Sequence, residues 1–146
     1  MTRPFYESDQ DRSKEQQVID VFCQQFNLTS EKQKPSLIVD YALMRGQRMV
    51  GVAEVKVRHK QYPEMFISYA KVRAMRDYMV DGIAPRVIFA MPEGIFVKKL
   101  ETIAIDGWIG MGGRKDRNDA HDREPVVFYK TNEMTRIADS KKEWFV

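Results

Sequence analysis

Met49-Val50-Gly51-Val52-Ala53-Glu54-Val55-Lys56-Val57 is the stretch that decides the fold. Strand side chains alternate between two faces, so Val50, Val52, Glu54 and Lys56 share one face while Ala53, Val55 and Val57 share the other. A strand apolar on both faces is one that lies inside a covered sheet. Glu54 and Lys56 break that pattern. A carboxylate and an ammonium in a buried strand are costly unless paired or bound to a metal. Isolated on a sheet edge, the same Glu-x-Lys would be a solvated pair. The flanking hydrophobicity argues here for a site.

Immediately upstream, Leu37-Ile38-Val39-Asp40-Tyr41-Ala42-Leu43-Met44 is a second run with strand character, interrupted by Asp40. Arg45-Gly46-Gln47-Arg48 joins the two as a hairpin turn. A two-residue loop sets Asp40 opposite Ala53; a three-residue loop sets it across from Glu54. Directly opposed Cβ atoms are about 5 Å apart. Two carboxylates that close repel unless a cation lies between them. As hard oxygen ligands they suit Mg²⁺ or Mn²⁺. Lys56 would lie roughly 7 Å along the same face from Glu54, within reach of a water or a phosphate oxygen at such an ion.

Helices flank this hairpin. Ser13-Lys14-Glu15-Gln16 fits a capping box, followed by Val18, Ile19, Phe22, Cys23 and Phe26 at helical spacing. Glu15 is either a favourable charge at the helix N-terminus or an outer ligand to the metal or its water. Thr29 to Pro35 reads as a loop. After Tyr62-Pro63 a helix runs to about Val80 and ends at Asp81-Gly82; it starts either at Pro63 or later, capped by Ser68. Lys71 falls in its stripe Ile67, Ala70, Ala74, Tyr78. It either covers apolar surface with its stem or points into the cleft of Lys56.

Arg86 to Met91 is a strand, with Ile95 to Leu100 as its antiparallel partner. Thr102 to Met111 has broken strand character, Gly112 to Glu124 is a charged loop, and Pro125 to Tyr129 is a strand. Asn132 caps a short helix to Ala138. Trp108, Phe128, Tyr129, Trp144 and Phe145 are expected in the core or an interface. The order helix, strand, strand, helix, strand, strand implies an α/β domain with a mixed central sheet flanked by helices. The second helix is the crossover between parallel strands.

The chain of 146 residues is expected to be a single domain spanning 1–146, with residues 1–12 flexible. Hydrophobic residues at 43% and charged residues at 31% fit a globular protein rather than a disordered one. Apolar runs such as Val87 to Met91 are far short of the roughly 20 residues of a membrane helix. Met1 to Lys14 has no signal-peptide apolar region. One cysteine, Cys23, excludes an internal disulfide and reads as a core residue in a reducing, cytoplasmic compartment. A net charge of +3 permits a nucleic-acid partner without demanding one. Arg58 and Lys60 follow the charged strand and are candidate DNA-binding residues. Arg114 and Arg117 lie in the charged loop near Gly112-Gly113, where backbone amides could meet a phosphate, although neighbouring aspartates nearly cancel them.

A helix with Glu15, then Asp40, then Glu54-Val55-Lys56, then a helix with Lys71 resembles the PD-(D/E)XK nuclease superfamily. The look is that of small phage or bacterial nucleases of the Holliday-junction-resolvase and restriction-endonuclease-like type. Val39 stands where the family name has proline. The resemblance implies an αβββαβ core and Mg²⁺-dependent hydrolysis of DNA phosphodiester bonds. It implies that Asp40 and Glu54 hold the metal with the Val55 carbonyl, and that Lys56 orients the attacking water and offsets transition-state charge. A homodimer would let a small domain cut both strands. The alternative is a non-catalytic DNA- or protein-binding module that kept the nuclease fold.

Overall fold

The computed structural model describes residues 9–34, 39–101, 105–113 and 123–145. In chain order the elements are α1 (Asp9–Phe26), β1 (Thr29–Lys32), β2 (Tyr41–Arg45), β3 (Arg48–Val57), β4 (Glu64–Ser68), α2 (Tyr69–Val80), β5 (Ala84–Met91), β6 (Gly94–Lys99), β7 (Trp108–Gly113), β8 (Arg123–Lys130) and β9 (Thr135–Ala138). Single 3₁₀ turns cover Thr131–Glu133 and Lys142–Phe145. The central sheet has the order β1-β2-β3-β5-β6-β9, and a smaller sheet has the order β4-β8-β7. Among the described residues only β3 and β5 run parallel in the central sheet, with α2 in the crossover between them, so the sheet is mixed as expected.

Two cores lie on the two faces of that sheet. Val18, Ile19, Phe22 and Cys23 of α1 pack on Tyr41, Leu43, Ala53, Val55, Ile88 and Ala90, with Trp144 closing the cluster. On the opposite face Val72 and Met75 of α2 pack on Val52, Val87, Phe89 and Met91, joined by Met65, Ile67, Val127 and Tyr129 of the small sheet. Both clusters use alternate residues of β3 and β5, which is why those strands read as apolar throughout. Cys23 is buried, and burial, with Asp20 nearby, pushes its thiol up to about 11. An inert core thiol is the result.

The β2–β3 hairpin reconciles the two registers left open by the sequence. Its loop is the two-residue Gly46-Gln47, flanked by the pair Arg45 and Arg48. Gly46 takes φ +64° at the first loop position, where a primed turn calls for glycine. The pairing then shifts between Leu43 and Met44, leaving Val50 as an extra residue on β3. Beyond this bulge Tyr41 opposes Ala53, and Asp40, just before the paired residues, bonds to the backbone of Ala53 and Val55 on either side of Glu54. The turn and the core demand different registers, and the bulge satisfies both. At Asp40 the chain bends, so that Val39 enters the α2 core while Tyr41 enters the α1 core.

Several elements differ from expectation. Ser13 is inside α1 and exposed rather than capping it; no glycine or proline between Asp9 and Ser13 interrupts the helix. Residues 9–12, expected to be flexible, are helical; residues 1–8 lie outside the described residues. Thr29–Lys32 is an edge strand on β2 rather than a loop; its polar composition reflects exposure at the edge. Leu37 and Ile38 of the expected first strand lie outside the described residues, as do 102–104 and most of the 112–124 loop, including Arg114 and Arg117. Glu64–Ser68 is a strand paired with β8, so Ile67 belongs to β4 and not to a helical stripe. The later of the two helix starts is the one adopted, but Ser68 makes no capping bond; its hydroxyl lies 3.4 Å from Glu124. Gly82, at φ +75°, ends α2 as the Asp81-Gly82 pair implied and lets the Ile83 N–H reach back to the Tyr78 carbonyl at 3.0 Å. Asn132 opens no helix to Ala138: one 3₁₀ turn leads into β9, which pairs with β6. Trp144 and Tyr129 are buried, whereas Trp108 is exposed and stacks on Phe128.

Candidate active site

Glu54 is buried in the middle of β3, with 2% of its surface exposed. It faces α2, on the side of the sheet lined by Val52 and Val87. Taking a carboxylate out of water costs several kcal/mol unless neighbours compensate. Two lysines do so on one oxygen. Lys71 Nζ stands 2.5 Å from Glu54 Oε1 and Lys56 Nζ stands 3.9 Å from the same atom. The second oxygen, Oε2, is buried and has no hydrogen-bond partner among the described residues. Such an orphaned carboxylate oxygen is rare in a folded protein and calls for an explanation.

Asp40, half-buried at the bend before β2, faces this group. Its Oδ2 accepts the Val55 N–H at 3.0 Å, and its own N–H donates to the Ala53 carbonyl at 3.1 Å. These two bonds pin the aspartate beside β3 while leaving its other carboxylate oxygen unspent by them. Val55 therefore contributes to the site through its backbone; its side chain packs in the α1 core.

The electrostatics follow the geometry. Burial pushes the Glu54 carboxyl above the ordinary carboxylate range, and Asp40 adds to the rise; Lys71 and Lys56 oppose it. Burial pushes the Lys56 ammonium below its usual value, with Arg58 and Lys71 adding to the fall against the pull of Glu54. Burial acts downward on Lys71 also, but Glu54, its hydrogen bond, Asp40 and Glu124 together hold that ammonium above its usual value. Two acids and two bases thus lie close enough for each charge to act on the others.

Hard oxygens suit a hard cation. Mg²⁺ is commonly held by one or two carboxylates together with water and substrate phosphate, because it gives up its waters reluctantly. Among the described residues no cluster of three or more aspartates, glutamates, histidines or cysteines is present. The donor set is therefore the Asp40–Glu54 pair, and the unpartnered Oε2 of Glu54 fits a cation.

The other expected site residues fall elsewhere. Glu15 is on α1, which packs on the opposite face of the sheet, and its Oε2 lies 3.8 Å from Lys32 Nζ. Arg58, at the end of β3, donates from its backbone to the Ala90 carbonyl at 2.9 Å and from Nη1 to the Val57 carbonyl at 3.1 Å. Burial lowers its guanidinium's pKa, against the influence of Tyr62 and Glu15. Lys60 is exposed. Glu124, at the start of β8, acts on Lys71 and was not anticipated. Nothing in its local sequence marks it, because β8 packs on α2 only in the folded chain, far from it in sequence.

A family model described as "Phage putative PDDEXK endonuclease" matches residues 1–137. Among solved structures the chain is similar to that of Hjc, a Holliday junction resolvase from the archaeal hyperthermophile Archaeoglobus fulgidus. The TM-score is 0.56 at 11% identity, over 89% of this chain and 93% of that one. At that identity the likeness is one of fold. No curated protein matches the chain.

Proposed function

The chain belongs to the phage PDDEXK endonuclease family, and we propose that it is a metal-dependent endonuclease that hydrolyses phosphodiester bonds in DNA. The observation that carries this reading is the pairing of Asp40 with a buried Glu54 whose Oε2 has no partner. Asp40, Glu54 and the Val55 carbonyl would hold Mg²⁺ or Mn²⁺. Such an ion supplies a water of lowered pKa and neutralises charge on the phosphate.

The chain's own residues do the rest. Glu54 is held by Lys71, so its Oε2 keeps one orientation. Lys56, on the same face and 24% exposed, orients the attacking water and offsets the charge that grows on the phosphoryl oxygens. Burial lowers the affinity of its amine for the proton, which suits a group handling a water proton. Arg58 and Lys60 extend a basic path beyond the strand. Two copies would cut both strands of a duplex, and a homodimer on DNA is part of the proposal.

The test is cleavage of plasmid and branched DNA by the purified protein with Mg²⁺, with Mn²⁺ and with EDTA. Metal-dependent nicking, lost in EDTA and absent in the Glu54→Gln protein, is expected. Intact DNA under every metal condition ends the proposal.

A further inference from the structure

A cavity of about 470 Å³ opens beside the segment that follows the charged strand, lined by Gln61, Tyr62, Pro63, Glu93, Phe96, Thr131 and Asn132. Three hydrogen bonds hold its wall. The Glu93 N–H donates to Gln61 Oε1 at 2.9 Å, the Thr131 hydroxyl donates to the Tyr62 carbonyl at 2.8 Å, and the Thr131 N–H donates to the Pro63 carbonyl at 2.9 Å. Residues from three distant parts of the chain thus fix a surface segment that has little apolar burial of its own. Thr131 is itself buried.

The fixed segment presents a particular chemistry. Tyr62 is held by its backbone yet leaves 41% of its surface exposed, so an aromatic ring stands open at the cavity. Phe96 supplies a second ring, nearly buried. With Oε1 spent on Glu93, the Gln61 amide is oriented, and its two N–H donors have no partner among the described residues. Asn132 adds a second exposed amide and Glu93 a carboxylate. Flat π surfaces ringed by amides and an acceptor match one class of ligand closely: a planar heterocycle with donors and acceptors on its edge. Side-chain amides are the usual partners of base edges, and aromatic rings the usual partners of base faces. Gln61 and Tyr62 follow within a few residues of the end of β3, so the chain itself leads from the strand bearing Lys56 into the wall of the cavity.

We propose that this cavity receives an unpaired nucleobase from the DNA strand lying at Lys56, stacked on Tyr62 and read by Gln61 and Asn132. The substrate is then DNA carrying unpaired nucleotides near the cut rather than a continuous duplex. A base inside a duplex has both faces covered by its neighbours, so only an unstacked one fits the pocket. This inference rests on the nuclease reading for its DNA, but its test does not depend on cleavage.

Two duplexes are compared in EDTA with the full-length protein: one with a single extrahelical 2-aminopurine, one with the same base paired. Binding should quench the fluorescence of the extrahelical base, and that duplex should bind about tenfold tighter, the effect of one base–aromatic stack. Tyr62→Ala should lose the preference while Tyr62→Phe keeps it, and Asn132→Ala should reduce it, each with an unchanged melting temperature. Equal binding of the two duplexes, or full preference in Tyr62→Ala, overturns the proposal. Equal quenching of the free 2-aminopurine nucleoside would also overturn it, since the pocket would then serve free nucleotides. Cleavage without preference removes the pocket and leaves the nuclease; preference without cleavage in any metal does the reverse.

Discussion

Lys71 Nζ and Glu54 Oε1 stand 2.5 Å apart, one carried by α2 and the other by the central strand of the sheet beneath it. The bond links the crossover helix to the carboxylate and leaves a single oxygen of Glu54, Oε2, without a partner. The site is therefore asymmetric: one oxygen of Glu54 is neutralised by lysines and the other has no partner among the described residues, with the charge of Asp40 nearby. This asymmetry gives separate consequences for each residue.

Metal affinity is the first. Titration calorimetry with Mn²⁺ should show binding to the wild-type protein, weakened by roughly tenfold or more in Asp40→Asn and in Glu54→Gln. Because the two carboxylates serve one ion, the double variant should be little worse than either single one. Undiminished Mn²⁺ binding in both single variants would remove the Asp40–Glu54 pair as the metal site.

Lys56 should separate stability from catalysis. Its folded-state pKa is depressed, chiefly by burial, so its charge is a cost to the fold that is full below the lowered value and is relieved as the pH climbs from there toward the ordinary lysine range. Lys56→Met keeps the stem and removes the charge. It should melt about 3 °C higher, the shift that roughly 1 kcal/mol produces in a chain of this length. It should also lose a factor of about 10² or more in kcat. A variant that melts lower, or cuts at the wild-type rate, contradicts the role given to Lys56.

Glu54 should leave a signature in the pH dependence of stability. Its folded-state pKa is raised, chiefly by burial, so the folded state holds the proton more tightly than the unfolded chain does. The associated stability is fully present below the ordinary carboxylate range and is lost as pH rises through the raised value. Glu54→Gln lacks this loss. In EDTA, the melting temperature of Glu54→Gln relative to wild type should therefore climb as pH is raised from 4 to about 8. A flat or falling difference would show that Glu54 does not titrate as its surroundings require.

Arg58 and Lys60 bear on affinity rather than turnover. If both meet phosphates, the double alanine variant should flatten the salt dependence of DNA binding by about one unit of slope for each phosphate no longer neutralised. Turnover at saturating DNA should change little. An unchanged slope in binding titrations across several salt concentrations would take this segment off the DNA path.

What the sequence made legible was charge in the wrong place. Asp40, Glu54 and Lys56 interrupt apolar strands, and the cost of burying charge makes such interruptions visible without a structure. The same reasoning could not find the bulge at Val50, because it arises from a conflict between a turn and a core that lie on opposite ends of the hairpin. Polar edge strands such as Thr29–Lys32 escaped because they bury little and carry no alternation. The cavity at Tyr62 escaped because its walls come from positions near 62, 93 and 131, joined only by tertiary bonds. Tyr62-Pro63, taken alone, is merely punctuation before a helix.

The bulge also bears on how such a site persists through descent. If Val50 were paired instead of bulged out, the two-residue turn would impose its own register along the whole hairpin, and Tyr41 and Leu43 would leave the α1 core for the opposite face. Both are fully buried large side chains, so that slip would be selected against for folding alone. Yet the register they enforce is also the one that brings Asp40 to the backbone of Ala53 and Val55, on either side of Glu54. The alignment of the two carboxylates is therefore inherited with the core, whether or not the chemistry is under selection. A lineage that lost activity through Asp40 or Glu54 would keep the frame intact, and a single reverting codon would restore it.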